Sequence, residues 1–246
     1  DLKPRLFLKR NHEKYDIIQL VSGESMAAGT RGLQSLNEDF LLTIEGIRDA
    51  IQDLSEEGLI TITRGIQTPA RDNIKLFALF AEALKNEGVA YPSNYLLQAR
   101  NYLAMNTILT KSAIDGERLQ RYLAAGRQQL MDFEHYPGIQ SDTLTQMNKI
   151  SGPEGEDYSY FHHAIKQILG ENSELLFNSW IYDVEAPTDN RPYFNDFFKW
   201  SSIDRIMEVY GKNWFQRLEL GYVVLAVTFA EVSLIAFLLI LMPLFF

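Results

Sequence analysis

Cysteine is absent from the 246 residues. That excludes a disulfide framework, a thiolate metal site and a cysteine nucleophile, and it leaves no redox clue to compartment. Basic residues are scarce: 23 Lys and Arg stand against 32 Asp and Glu, a formal charge of −9. Nucleic acid is therefore not an expected partner, since phosphate binding needs a basic face. No G-x-G triplet occurs, so the glycine-rich loop that follows a first Rossmann strand is missing. The opening DLKPRLFLKRN has an apolar run of only Leu6 to Leu8, too short for a signal peptide. It reads as a turn and short helix leading into a strand, as if the chain entered in the middle of a domain. Histidines number four, and His162 and His163 are adjacent, so they face different sides of a helix. A helical metal pair needs i, i+4 spacing, and no metal site is expected.

What is present is a βαβ pattern over residues 15–64. YDIIQL reads as a short buried strand, and VSGESMAAGTRGLQ as a small-residue loop. Ser35 with Glu38 forms a capping-box pattern ahead of a helix carrying Phe40, Leu41, Ile44, Ile47, Ile51 and Leu54. Gly58 is expected to end that helix, with LITITR starting the next strand. Two parallel strands would then point their carboxyl ends at the 21–34 loop, the edge where open α/β sheets bind ligands. The expected site is residues 19–34. Farther on, Thr68 and Pro69 look like the cap and first position of a helix with a stripe of Ile74, Phe77, Phe80, Ala81 and Leu84 up to Gly88. YLLQAR and MNTILTK read as antiparallel strands, and Asp115 as the cap of a helix running through Leu119, Leu123 and Leu130 towards Phe133. From HYPG to about Asp157 the sequence reads as a loop or lid, and YSYFHHAIKQILG as a further helix.

Residues 221–246 contain one ionisable group, Glu231, and exceed the ~20 residues needed to cross a bilayer. A transmembrane helix is expected over 218–246. Lys199, Arg205, Lys212 and Arg217 precede it, which places the preceding domain on the cytoplasmic side, with Trp200, Trp214 and Tyr222 as an interfacial belt. A carboxyl group in mid-bilayer should face other helices, as an inter-helix hydrogen bond or part of a proton or substrate pathway.

In YDIIQL–SLNEDFLLTIEGIRDAIQDLSEEGLITITR the chain resembles the second half of a spermidine-synthase-type domain, within the class I S-adenosylmethionine-dependent transferases. It looks most like the integral-membrane branch of that family. There a TDxRPYF-like segment, here Thr188, Asp189, Arg191, Pro192, Tyr193 and Phe194, precedes a GY-plus-apolar helix, here from Gly221-Tyr222. TPARD (Thr68 to Asp72) and PGI (Pro137 to Ile139) fit the same branch. The resemblance implies a partial Rossmann-like α/β fold of methyltransferase type. Residues 1–134 would be its second half, 135–217 a lid-like and membrane-proximal extension, and 218–246 the membrane helix. It implies S-adenosylmethionine or its decarboxylated form as donor, bound by the missing N-terminal half and not by this chain alone. A small-molecule acceptor, the lipid bilayer and further transmembrane helices are the implied partners.

The family's proton-accepting Asp falls on Val21, and a second acidic position falls on Glu24. Valine cannot accept a proton, so the ancestry is better marked than the reaction. Glu24 is the candidate catalytic carboxylate, with Gln19 and Ser22 as candidate substrate-binding residues; a solvated loop carboxylate is the plainer alternative for Glu24. Asp189 and Arg191 flank a turn and are expected to act as a structural clamp. Two other function classes stand beside the transferase. One is a non-catalytic membrane-bound module used for binding or scaffolding. The other is a serine hydrolase, because GESMA resembles a nucleophile elbow with Ser25 as nucleophile and His135 or His162 as base. The helix that should follow such an elbow at once is interrupted by Gly29 and Gly32.

Overall fold

The computed structural model describes residues 4–10, 13–21, 37–67, 70–140, 149–151, 157–171, 173–212 and 220–242. A short helix, α1 (Pro4–Arg10), leads into β1 (Tyr15–Val21). Next come α2 (Ile44–Gln52), β2 (Leu54–Gly65) and α3 (Asp72–Asn86). β3 (Leu96–Arg100), β4 (Ala104–Thr110), α4 (Gly116–Gln128) and β5 (Asp132–His135) complete a five-stranded mixed sheet in the order β1-β2-β4-β3-β5. β1 and β2 are parallel, with Gln19 opposite Thr61 and Val21 opposite Thr63. β4 is antiparallel to both neighbours, so β1, β2 and β3 all end at the same edge. The result is an α/β fold with a Rossmann-like parallel pair.

Alternation along β2 decides which face is core. Ile60, Ile62 and Arg64 are buried, while Thr61 and Thr63 are half-exposed on the other face, joined by Asn106 Nδ2 at 2.8 Å to each hydroxyl. On the core face lies α3, packed against α2, β2, β4 and α5 (Tyr160–Leu169). Its expected apolar stripe is wider than the spacing implies: every residue from 72 to 81 is buried, with Phe77 and Phe80 fully enclosed. A helix enclosed on all sides is the central element of the core, which α2 and α5 complete.

Four boundaries differ from the expectation. Ser35 lies outside the described residues, and Glu38 is not helical. Asp39 Oδ1 accepts the Leu41 and Leu42 amides, which holds that stretch in a turn. Thr43 then caps α2 by accepting the Gly46 amide at 3.0 Å. Gly58 closes no helix; it lies within β2, where the register against β1 jumps from Leu54 to Leu59 across Tyr15 to Ile17. A Cβ there would stand 2.7 Å from the Tyr15 carbonyl oxygen, so the bulge needs glycine. α4 begins on the expected cap, Asp115 accepting the Arg118 amide at 2.8 Å, but ends at Gln128. Leu130 takes a positive φ of 55° and turns the chain into β5, which carries Phe133. The expected cap Thr68-Pro69 lies outside the described residues; α3 starts after Arg71.

Residues 135–171 hold a small β6 (Lys149–Ser151) and β7 (Asp157–Ser159) pair and α5, followed by α6 (Ser173–Ser179). α7 (Ile203–Tyr210) precedes α8 (Leu220–Ala236). Among the described residues no helix is long and apolar enough to cross a membrane. The expected span over 218–246 appears as a 17-residue α-helix, ~25 Å at 1.5 Å per residue, followed directly by a π-helical turn at Phe237–Leu241. Backbone angles stay helical on both sides of that turn, with φ −60° at Ala236 and −59° at Met242. Of the described side chains from Leu225 to Met242, all but Ala236 are exposed.

Candidate functional site

A buried polar layer lies where β2 and β3 end. Each of the two strands carries an arginine at or next to its last residue, Arg64 on β2 and Arg100 on β3, and both lie opposite Met105 of β4 on the core face. The first turn of α3 brings Asp72, Asn73 and Lys75 over them. Asn73 Nδ2 donates to the Gly65 carbonyl at 3.1 Å, and Gln98 Nε2 to Thr107 Oγ1 at 3.0 Å and the Asn73 carbonyl at 3.3 Å. Arg64 Nη1 stands 3.9 Å from Asp72 Oδ1 and donates to Asn195 Oδ1 at 3.3 Å.

The segment 183–199 straps this layer from above. Phe194 stacks under the Arg64 guanidinium at 4.7 Å, and Phe197 lies 4.8 Å from that of Arg71. Lys75 Nζ donates to the Asp196 carbonyl at 2.6 Å, and Arg191 pairs with Asp183 at 2.7 Å. Stacking a guanidinium on an aromatic face and pairing it with carboxylates is how charge survives burial.

Four atoms in the layer have no hydrogen-bond partner: Arg64 Nε, Asp72 Oδ2, Asn73 Oδ1 and Gln98 Oε1. Their residues are 5, 7, 2 and 1% exposed. Asp72 Oδ2 lies 3.4 Å from Arg71 Nε, but that N–H donates to Gln67 Oε1 at 2.8 Å. An unsatisfied buried polar atom costs about 1–3 kcal/mol. Four of them rival the ~5–15 kcal/mol by which a domain is stable. Such a concentration at the carboxyl edge of the sheet, where open α/β sheets take ligands, makes this layer the candidate site.

Comparison with family models, with curated proteins and with solved structures finds no match to this chain. The site is therefore read from its own residues.

Of the expected site residues, Gln19 lies on β1 and is exposed. Ser22, Glu24 and Ser25 lie outside the described residues, and Val21 closes β1. Asp189 and Arg191 both clamp, but not to each other. Asp189 takes Arg5 and Thr43, whereas Arg191 takes Asp183 and, at 3.6 Å, Asp196. Glu231 is exposed on α8. The two histidines weighed as hydrolase bases sit at the opposite end of the sheet from β1. His135 closes β5, four strand spacings or about 19 Å from β1. Burial drops its pKa to about 4, and its Nε2 lies 3.3 Å from the Ser93 carbonyl. His162 Nδ1 meets the Glu134 carbonyl at 3.1 Å. Beside them Glu134, whose pKa burial raises, accepts Ser159 Oγ at 2.7 Å and pairs with Arg100 at 3.5 Å.

Proposed function

We propose that the chain is the acceptor-side part of a spermidine-synthase-like, S-adenosylmethionine-type group transferase, held at a membrane by residues 220–242. The observation that carries this reading is the buried polar layer at the shared carboxyl edge of β1, β2 and β3, the edge at which α/β sheets take their ligands. The motif order from YDIIQL to TDNRPYF supports the family. The donor, S-adenosylmethionine or its decarboxylated form, is held by a glycine loop this sequence does not contain. Gln19 and Ser22 border the acceptor, and Glu24 replaces the usual Asp, whose position is Val21, as proton acceptor.

The membrane assignment is supported by the side chains from Leu225 to Met242, which are apolar except for Thr228, Glu231 and Ser233 and of which, among those described, all but Ala236 are exposed. Adding the π-helical turn to α8 brings the helical run to about the ~30 Å of a bilayer core. The domain then lies on the cytoplasmic side. A second reading, a non-catalytic module that scaffolds membrane helices, is favoured by one observation, the valine at position 21.

The test is donor turnover. Residues 1–246 in lipid nanodiscs should show no micromolar binding of either donor by calorimetry. The full protein should bind one and release S-adenosylhomocysteine or methylthioadenosine with an acceptor present, and Glu24→Gln should suppress release. A full protein that binds neither donor would leave the scaffold reading.

A further inference from the structure

The hairpin between β3 and β4 leaves the sheet at the carboxyl edge, and its tip is apolar. Tyr102 is 80% exposed, and Leu103 beside it is exposed too. The tip is held in one shape. Asn101 Oδ1 accepts the Leu103 and Ala104 amides at 2.8 Å each, and the Leu103 carbonyl accepts the Ile66 amide at 2.8 Å. Turns of this kind ordinarily carry small polar residues and glycine.

Leu130 comes out at the same corner. Arg100 of β3 pairs with Asp132 of β5, so Tyr102 and Leu130 each lie two residues beyond that pair, on strands ~4.8 Å apart. Leu130 is 87% exposed, and among the described residues it is the one non-glycine residue with a positive φ, 55°. Its amide donates to the Arg127 carbonyl at 3.1 Å, and the Met131 amide donates to the Gly126 carbonyl at 2.9 Å. Those are the paired bonds of a Schellman motif, whose left-handed position glycine fills without strain. A leucine there is unfavourable to the backbone and to the solvent alike, so its use lies in what it touches outside the fold.

A third ring flanks this edge. Trp180 Nε1 donates to the Ala70 carbonyl at 2.8 Å, just ahead of α3, and Lys199 Nζ donates to the Trp180 carbonyl at 3.3 Å. Trp200 follows, exposed, where the chain turns towards α7 and α8.

Charge chooses the partner. The chain carries a net charge of −9, yet no acidic residue occurs from Pro92 to Ile114 or from Leu119 to Met131. Arg121 and Arg127 are exposed on α4, the second three residues before Leu130. The nearest carboxylate in sequence, Asp132, is half-buried in β5. Apolar side chains rimmed by arginine suit an anionic lipid surface. Leucine enters the acyl boundary, tyrosine and tryptophan stay at headgroup level, and arginine meets phosphate.

We propose that the carboxyl edge of the sheet seats against an anionic bilayer, with Tyr102, Leu103 and Leu130 entering its headgroup layer. The proposal rests on the membrane attachment read above, but not on residues 220–242 crossing the bilayer.

The chain has no cysteine, so a single introduced one carries a spin label unambiguously. Gln129→Cys puts the label beside Leu130 and leaves the apolar side chains in place. Asn86→Cys at the far end of α3 and Phe229→Cys on α8 are the references. The 1–246 chain is placed in nanodiscs of phosphatidylcholine with or without phosphatidylglycerol. Electron paramagnetic resonance then reads depth from collisions with oxygen and with an aqueous nickel complex. The label at 129 is expected in lipid contact, within the roughly 5–10 Å that interfacial apolar groups reach, and deeper with phosphatidylglycerol. The label at 86 should stay in water. Tyr102→Ser, and Leu130→Gly, which the backbone favours, should each move the label at 129 towards water. Lipid at 129 with water at 229 would keep the proposal and remove the span. Lipid at 229 with water at 129 in both kinds of disc would overturn it and leave the edge to a protein partner. Water at both would overturn it together with the membrane attachment. A depth at 129 unchanged in both Tyr102→Ser and Leu130→Gly would also overturn it.

Discussion

Arg5 Nη1 donates to Asp189 Oδ1 at 2.5 Å, joining the first helix to the strap that covers the polar layer. The same carboxylate oxygen accepts Thr43 Oγ1 at 2.8 Å, and the Asp189 amide donates to Glu45 Oε2 at 2.9 Å. Thr43 is also the cap of α2, so one aspartate connects α1, α2 and the 187–191 turn. The sequence reading expects Asp189 and Arg191 to form a structural clamp; in the structure Asp189 meets Arg5, 184 residues away, and Arg191 meets Asp183.

That contact carries a pH dependence. Burial works against the Asp189 carboxylate, but hydrogen bonds from Arg5 and Thr43 hold its pKa below the ordinary 3.8. A depressed carboxylate contributes stability above the unfolded value and loses it as pH falls through the folded one. Asp189→Asn should therefore cost about 1 kcal/mol or less at pH 7, a small figure because the side chain is 36% exposed. The difference should shrink as pH is lowered from 7 to well below the ordinary 3.8. Urea midpoints at both pH values decide it; an equal loss at both would show that the carboxylate charge is irrelevant.

His135 behaves in the opposite sense to a stabilised cation. Buried beside Phe77 at 5.3 Å, it stays neutral in the fold down to about pH 4, whereas the unfolded chain protonates near 6.5. Below 6.5 the unfolded state binds the extra proton, so stability falls between pH 6.5 and 4 by on the order of 3 kcal/mol. His135→Asn should flatten that part of the profile even if it lowers stability at pH 7. A pH series of urea unfolding that drops equally in both proteins would rule His135 out as the source.

Among the described residues Arg100 and Glu134 form the most enclosed ion pair, 2 and 0% exposed as side chains, with Ser159 completing the carboxylate. Removing one partner leaves a buried charge. Arg100→Met or Glu134→Leu alone should cost about 3–5 kcal/mol, while the double replacement should recover most of that. A double-mutant cycle by chemical denaturation measures the coupling. Additive losses would mean that each residue acts through other contacts, Arg100 through the Phe161 ring at 5.6 Å, for example.

Local signals were legible where one residue type has one job. Asp115 caps α4, YLLQAR and MNTILTK pair antiparallel, and the YDIIQL–LITITR pair is parallel. The start of α2 was not, because an Asp39 turn and a Thr43 cap override a capping box that is equally good on paper. Gly58 reads as a helix stop in sequence, yet its reason is a strand from elsewhere passing 2.7 Å from where a Cβ would be. The polar layer was missed since Arg64, Asp72-Asn73 and Gln98 fall in three separate elements. The available signal was the alternation, which puts Arg64 in step with the inward Ile60 and Ile62, and Arg100 in step with Leu96 and Gln98. Of the stretch expected to hold the site, 19–34, residues 22–34 lie outside the described residues.

Glu231 gives the sharpest test of the membrane assignment. It stands eleven positions after Leu220, ~16 Å along α8, which in a spanning helix would be close to the middle of a ~30 Å core. It also precedes the π-helical turn at Phe237–Leu241 by about two turns, and helical irregularities of that kind gather at working parts of helices. A carboxyl group facing hydrocarbon costs roughly 2.5–3.5 kcal/mol on insertion scales, so a neighbouring helix should receive it. Thr228 is three residues away on the same helix and cannot replace that partner. Glu231→Gln keeps shape and hydrogen bonding; Glu231→Leu keeps neither. If the contact is structural, Gln should be tolerated and Leu should weaken helix association by about 0.6–2 kcal/mol, read by energy transfer between labelled proteins in nanodiscs. If the carboxyl group handles protons or substrate, Gln should damage the activity of the full protein as much as Leu does. Equal tolerance of both changes, in association and in activity, would place Glu231 near water and remove α8 from the membrane interior.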